Sequence, residues 1–216
     1  MWIVFSGAGI SQESGIPTFE ERPDLREVLT LDVWEQDPAS VWQIVWDMFR
    51  SVEMAKPNPA HCAISEAQWY VVTQNIDGLH QRAGTRSGDI LELHGDLRYA
   101  HCVQCGDESQ LAFMHQRAIP KCSCGSIYKP NVVLYQEPVT RWRYVANLLN
   151  QACGVLVVGT SLTVNPASAL PGMAERRGIP VHVINQAASR EVPEFIAWQT
   201  GISKPAAENS HRKRPS

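Results

Sequence analysis

The chain has 216 residues, a net charge of −3, 44% hydrophobic residues and 19% charged residues. That is the composition of an ordinary globular protein, with room for one domain carrying an inserted module or for two small lobes. The near-neutral balance argues against broad nucleic-acid binding, and no apolar run approaches the ~20 residues that a bilayer span needs.

The first expected element is a buried strand at 2–5, apolar and bounded by Ser6 and Gly7. Nothing around Met1 reads as a secretory signal, because a basic start is missing. Gly7-Ala8-Gly9-Ile10-Ser11 follows at once. Glycines at a strand-to-helix turn let the backbone approach a ligand, and the N–H groups of a following helix suit an anion such as a pyrophosphate. A plain tight turn is the alternative. The third glycine of the full G-x-G-x-x-G pattern is replaced by Gln12, and no acidic residue takes the ribose-binding place after a second strand. A nucleotide is therefore expected, but an ordinary dehydrogenase is disfavoured.

Residues 38–54 carry Val41, Ile44, Val45, Met48, Phe49 and Val52 at spacings of three and four, which predicts a helix with one buried face. Further apolar runs at 69–73, 132–134, 155–158 and 181–184 predict more buried parallel strands. Helices are expected at 142–152 and 167–177, the latter closed by Gly178 and Pro180. Strands alternating with helices give an α/β fold with a parallel, Rossmann-like sheet covered on both faces. Residues 99–129 break the rhythm and read as a small inserted lobe. The polar end at 206–216, with the basic cluster His211-Arg212-Lys213-Arg214, reads as a disordered tail.

Cys102 and Cys105 form a C-x-x-C pair, and Cys122 and Cys124 a C-x-C pair. Two close thiolate pairs converge readily on one tetrahedral zinc. A disulfide framework is the alternative, but Cys62 and Cys153 stand alone and read as small core residues. A structural Zn(2+) and a reducing, cytoplasmic setting fit together. Four thiolates leave the metal no open position, so it holds structure and performs no chemistry.

The run from Gly7 through Gly15-Ile16-Pro17-Thr18-Phe19 resembles the signature of the sirtuins, the NAD-dependent protein deacylases. Thr73-Gln74-Asn75-Ile76-Asp77-Gly78-Leu79-His80, Leu93-His94-Gly95, the cysteine pairs, Gly159-Thr160-Ser161-Leu162 and Val183-Ile184-Asn185 follow in the family's order. The resemblance implies a discontinuous NAD-binding lobe at 1–35, 60–97 and 131–200, and a smaller helical and zinc-ribbon lobe at 36–59 and 98–130. It implies that Gly7, Ala8, Gly9, Ile10, Ser11, Phe19, Gln74, Asn75, Ile76, Asp77, Gly159, Thr160, Ser161 and Asn185 hold NAD. Asn75 and Asp77 share the inner pocket, with Asp77 receiving the nicotinamide carboxamide. His94 is implied as the catalytic base. Val132, Val133, Tyr135, Gln136 and Glu137 are implied to meet an extended acyl-lysine peptide. The acyl oxygen captures the sugar carbon as nicotinamide leaves, and a neutral imidazole then takes a proton from a ribose hydroxyl. Histidine suits that task because its reference pKa of ~6.5 leaves it basic yet mostly uncharged near neutrality. His61, His80 and His101 read as ordinary structural or surface residues.

The chain departs from the family where an arginine and a glycine commonly follow Phe19: here stand Glu20 and Glu21, with Arg22 as the candidate substitute. An aromatic-Gly-Glu triplet is replaced by Tyr135-Gln136-Glu137. Val45 and Met48 align with a tyrosine and an arginine that serve acidic acyl groups in some relatives, so neutral acyl groups are expected, acetyl first. The leading expectation is lysine deacetylation. An ADP-ribosyltransferase or NAD glycohydrolase on the same fold is the alternative, kept open by Glu20 and Gln136. A non-catalytic NAD-binding module is a third reading.

Overall fold

The computed structural model describes residues 1–114, 119–163 and 165–201. The expected tail at 206–216 and its basic cluster lie outside them. In chain order the elements begin with β1 (Trp2–Ser6), α1 (Pro23–Val28), α2 (Leu31–Gln36), α3 (Pro38–Met54), α4 (Pro59–Glu66), β2 (Tyr70–Thr73) and α5 (Leu79–Arg82). There follow β3 (Ile90–Glu92), β4 (Gly95–Cys102), β5 (Glu108–Gln110), β6 (Tyr128–Val132) and α6 (Val145–Leu149). The chain closes with β7 (Gly154–Val158), α7 (Leu170–Glu175), β8 (Val181–Ile184) and α8 (Ala188–Thr200).

Five strands form a parallel sheet in the order β3-β2-β1-β7-β8. The central strands β1 and β7 are almost wholly apolar because helices cover both faces. Ala60 and Ile64 of α4 and Val192 and Ile196 of α8 close one face, and Val145, Leu149 and Leu170 close the other. Full burial of each such side chain stabilises the fold by roughly 1.5–3 kcal/mol. No described helix is long and apolar enough to cross a membrane.

A second, antiparallel sheet has the order β5-β4-β6. The run at 132–134 is thus no parallel strand. Val132 ends β6, paired antiparallel with β4, and the fourth partner on the parallel sheet is β3. Helix α3 has the expected bounds and packs Val41, Trp42, Val45 and Phe49 into the same core as Leu97, Ala100 and Tyr128. The indole N–H of Trp42 donates to the Tyr128 carbonyl at 3.0 Å, which satisfies the buried ring and ties α3 to β6. Leu25, Leu29 and Trp34 of the preceding segment share this core. The helix expected at 142–152 is a 3₁₀ turn, Thr140–Tyr144, leading into the short α6. A 3₁₀ turn, Ala167–Ala169, likewise precedes α7.

Candidate active site

The order of the five strands reverses direction between β1 and β7, and ligands of such sheets settle beyond the strand ends at that point. A cleft of about 470 Å³ lies there. Its floor is made by Gly7, Ala8 and Gly9 after β1, by Gln74, Asn75 and Ile76 after β2, by Gly159, Thr160 and Ser161 after β7, and by Asn185 after β8. The Gly9 N–H donates to the Gly159 carbonyl at 2.8 Å. Gly159 has φ +59°, and a Cβ there would fall 2.2 Å from the Ile10 nitrogen, so only glycine lets the two loops meet backbone to backbone. Gln74 Nε2 donates to Thr160 Oγ1 at 2.9 Å, and Thr160 N–H donates to Asn185 Oδ1 at 3.2 Å, which laces three strand ends together. The helix expected after the glycine turn is a 3₁₀ helix, Ala8–Ser14. A backbone floor rimmed by amides and hydroxyls fits a dinucleotide, whose phosphates and ribose hydroxyls need such partners.

His94 stands at the junction of the two sheets, one residue before β4. Leu93 N–H is held by the Thr73 carbonyl and Val133 N–H by the His94 carbonyl, each at 2.8 Å. Its ring lines the cleft, with Nδ1 3.0 Å from the Gln74 carbonyl oxygen. A carbonyl oxygen only accepts, so Nδ1 carries the hydrogen and Nε2 is left as the basic nitrogen. Burial lowers the pKa of His94, while the Gln74 carbonyl acts the other way. The imidazole is therefore neutral near pH 7.

Ile10, Ser11 and Asp77, expected to touch the cofactor, lie beneath the floor and do not line the cleft. The Asp77 carboxylate is already satisfied: Oδ2 accepts the Ser11 hydroxyl at 2.7 Å, and Oδ1 accepts the Leu79 N–H at 2.8 Å. Burial pushes its pKa up, and those same donors oppose the shift. Asn75, which does line the cleft, donates from Nδ2 to Ser11 Oγ at 3.2 Å. A chain of hydrogen bonds from Asp77 through Ser11 thus fixes which edge of the Asn75 amide faces the protein.

Behind this floor, Asn58 accepts the backbone N–H groups of Ala60 and His61 and donates to the Ile10 carbonyl at 2.7 Å and to Ser14 Oγ at 3.1 Å. One side chain both caps α4 and anchors the loop after β1. His61 and His80 lie beside it, wholly buried, with ring centroids 4.8 Å apart.

Away from the cleft, Cys102, Cys105, Cys122 and Cys124 bring their sulfurs within 4.8 Å of one another. Two cross pairs, Cys102 with Cys124 and Cys105 with Cys122, lie at 3.4 and 3.6 Å. Zn–S bonds of ~2.3 Å in a tetrahedron set sulfurs about 3.8 Å apart, so the four thiols fit zinc. The Cys124 backbone N–H lowers the pKa of the Cys122 thiol, while neighbouring thiols hold those of Cys105 and Cys124 up, as in four sulfurs that share one charge.

Val132, Val133, Tyr135, Gln136 and Glu137 all line the opposite wall of the cleft. Of the two departures after Phe19, Glu20 lines the cleft. The Glu21 carboxylate instead accepts Thr18 N–H at 2.7 Å and Thr18 Oγ1 at 3.0 Å. Arg22 does not substitute for a cleft arginine, since Asp24 holds it at 2.6 Å; the cation that lines the cleft is Arg26. Val45 is fully buried in the core of α3 and Met48 packs against that core, so neither reaches the cleft. Gln12 and Thr18, both inside the Gly7–Phe19 run, also line it, as do Leu29, Leu134, Val139, Thr163 and Asn165. No sequence signal singled out the last five.

A protein-family model described as the Sir2 family matches residues 7–166. A curated relative from Pyrobaculum aerophilum, named NAD-dependent protein deacylase 2, is 40% identical over 98% of this chain and 91% of its own length. One from Thermococcus kodakarensis, named NAD-dependent protein deacylase, is 38% identical over 94% of this chain and 88% of its own. A solved complex of a Sir2 homolog with NAD superposes with a TM-score of 0.82 at 30% identity, covering 94% of this chain and 90% of that one. A Sir2–p53 peptide–NAD+ structure gives 0.82 at 29% identity, with 94% of each chain covered.

Proposed function

Because the chain belongs to the Sir2 family, we propose that it is an NAD-dependent protein-lysine deacetylase. It acts on neutral acyl groups and converts acyl-lysine, NAD and water into lysine, nicotinamide and O-acyl-ADP-ribose. The observation that carries this reading is the His94 ring in a cleft with a dinucleotide floor, its Nδ1 tied to Gln74. NAD, once bound, supplies the sugar carbon that accepts the acyl oxygen.

His94 is the base: with Nδ1 occupied, Nε2 takes the proton from a ribose hydroxyl, and burial keeps the ring uncharged until it does so. Gly7, Ala8, Gly9, Phe19, Gln74, Ile76, Gly159, Thr160, Ser161 and Asn185 hold the dinucleotide. Asn75 contacts it at the inner end. Ile10, Ser11 and Asp77 complete the cofactor site from behind the floor, and Asp77, held by Ser11 beside Asn75, receives the nicotinamide carboxamide at the inner end. Val132, Val133, Tyr135, Gln136 and Glu137 form the peptide wall. Holding base, sugar and acyl group together supplies much of the acceleration by orientation.

The larger lobe is assigned to 1–35, 60–97 and 131–200 and the smaller to 36–59 and 98–130. The two separate sheets support that division, with Leu25, Leu29 and Trp34 leaning onto the smaller lobe's core. Zinc, held by the four cysteines, locks the turns of the smaller lobe. A site that needs four reduced thiols supports a cytoplasmic location.

Mass analysis after incubation with NAD and an acetyl-lysine peptide tests the reading. Deacetylated peptide, nicotinamide and acetyl-ADP-ribose in equal amounts are expected. Nicotinamide and ADP-ribose beside an intact peptide, or ADP-ribosylated protein, would place the chain in the other reaction class.

A further inference from the structure

The first turn of α2 is capped by its own Thr30 and, from outside its segment, by the cleft wall. Leu31 N–H donates to the Tyr135 carbonyl at 3.0 Å, and Val33 N–H donates to Thr30 Oγ1 at 3.1 Å. Asp32 N–H donates to Gln136 Oε1 at 3.2 Å, and Gln136 Nε2 returns a bond to Asp32 Oδ2 at 2.6 Å. Helix starts leave such N–H groups without intrahelical partners, so the cleft wall serves here as part of the cap. Tyr135 N–H completes the join by donating to the Leu29 carbonyl at 2.8 Å, and the rings of Phe19 and Tyr135 meet edge to face at 6.5 Å.

Gln136 does this from an unusual backbone position. Its φ is +76°, the left-handed region that side-chain-bearing residues seldom occupy. The side chain closes two hydrogen bonds with one residue 104 positions away, a geometry that holds the strained backbone in place. On either side of this join, Phe19, Glu20, Arg26 and Leu29 line the cleft from one segment, and Tyr135, Gln136 and Glu137 from the other. The backbone N–H groups of Val133, Leu134, Tyr135 and Glu137 are all taken within the protein. The wall therefore has little freedom to rebuild itself around a peptide and depends on being set in advance.

We infer that Gln136 is a positioning residue that latches the peptide wall to α2 through Asp32, so that the cleft-lining segment 19–29 and the peptide wall move as one piece. The inference rests on the reading of this cleft as a peptide site. The latch fixes the wall in its peptide-accepting form without touching the reacting atoms. Its loss weakens peptide capture more than the chemical step.

A swapped pair isolates the side chains from the backbone strain. Gln136→Glu sets two carboxylates against each other and removes the Nε2 donor. Adding Asp32→Asn restores a donor opposite an acceptor. We expect the single variant to raise the peptide KM about three- to fivefold, the worth of one exposed charge-assisted hydrogen bond, with kcat held within about twofold. The double variant should return the KM to near the unaltered value. Gln136→Gly accepts the same backbone region without strain yet also loses the latch, so its KM should rise as well.

Amide hydrogen exchange at residues 31–33 reads the latch without turnover: faster in Gln136→Glu, slow again in the double variant. An unchanged peptide KM in Gln136→Glu, or a double variant no better than the single one, would overturn the inference. If the unaltered protein turned over no acetyl-lysine peptide, the deacetylase reading would fail, and the exchange rates would decide the latch alone. Equal exchange in all the proteins would then overturn it.

Discussion

The Nδ1 of His94 lies 3.0 Å from the carbonyl oxygen of Gln74, the same residue whose side-chain amide holds Thr160 across the cleft floor. The base and the dinucleotide floor are therefore registered to each other through one residue at the end of β2. His94→Tyr should lower kcat/KM for an acetyl-lysine peptide by about a hundredfold to ten-thousandfold, the usual worth of a positioned base. The melting temperature should stay within a few degrees, because the ring is only half-buried. Steady-state kinetics beside thermal melting checks both; retained activity would remove the assigned role.

Burial, opposed by the Gln74 carbonyl, holds the pKa of His94 below its usual value of about 6.5. The base is active when neutral, so activity is lost as pH falls through the lowered value. The acid limb of kcat/KM should therefore lie below about pH 6.5. A limb centred above neutrality would show that another group, or a charged His94, controls the reaction.

His61 and His80 govern stability instead. Burial pushes His61 down to about 4 and His80 well below the ordinary value. The unfolded chain takes up protons near pH 6.5 while the folded one does not, so stability is full above that pH and is lost as pH falls towards the folded value. From His61 alone the loss between pH 6.5 and 5 is about 1.5 kcal/mol. Denaturant melts across that range should show the slope, and His61→Gln should flatten it. Asn58, which His61 contacts, anchors Ile10 and Ser14, so acid should also weaken NAD binding.

Cys122→Ser removes one of the four ligands around the proposed zinc. Structural zinc contributes folding free energy directly, so the variant should lose the metal and the cooperative melting of the β4–β6 region. Metal analysis together with hydrogen exchange over Cys102–Tyr128 checks this. Full zinc content at an unchanged melting temperature would mean that the ligand set is wrong.

Among the described residues lining the cleft there is one cation, Arg26, against two carboxylates, Glu20 and Glu137, and Lys129 already pairs with Glu137 at 3.1 Å. An acyl group ending in a carboxylate finds little beyond Arg26 to pair with on burial. Acetyl-lysine peptides should turn over about tenfold or more faster than succinyl-lysine ones. The reverse order would contradict the neutral-acyl assignment.

Much of this was readable from the chain. Helix α3 has the bounds that its apolar spacing and Pro38 imply, and the five-residue apolar strand β1 runs as expected into its glycine loop. The four sulfurs gather as their spacing predicts. What escaped was set by distant partners. Strand β3 is three residues long and only half-buried, too short to carry a pattern. Residues 132–134 are apolar because they line a cleft wall and a lobe core, which mimics a buried strand in sequence. Arg26 replaced Arg22 at the cleft because Asp24, two residues on, captures the latter. The Gln136–Asp32 latch spans 104 positions, and neither residue signals the other in sequence.

The most direct measurement is a crystal structure holding both an acetyl-lysine peptide and an unreactive NAD analogue. We expect His94 Nε2 about 3 Å from a hydroxyl of the nicotinamide ribose, Nδ1 still on the Gln74 carbonyl, and the acyl oxygen facing the same sugar. A His94 ring turned away from the ribose, with peptide and dinucleotide bound in separate places, would contradict the assignment.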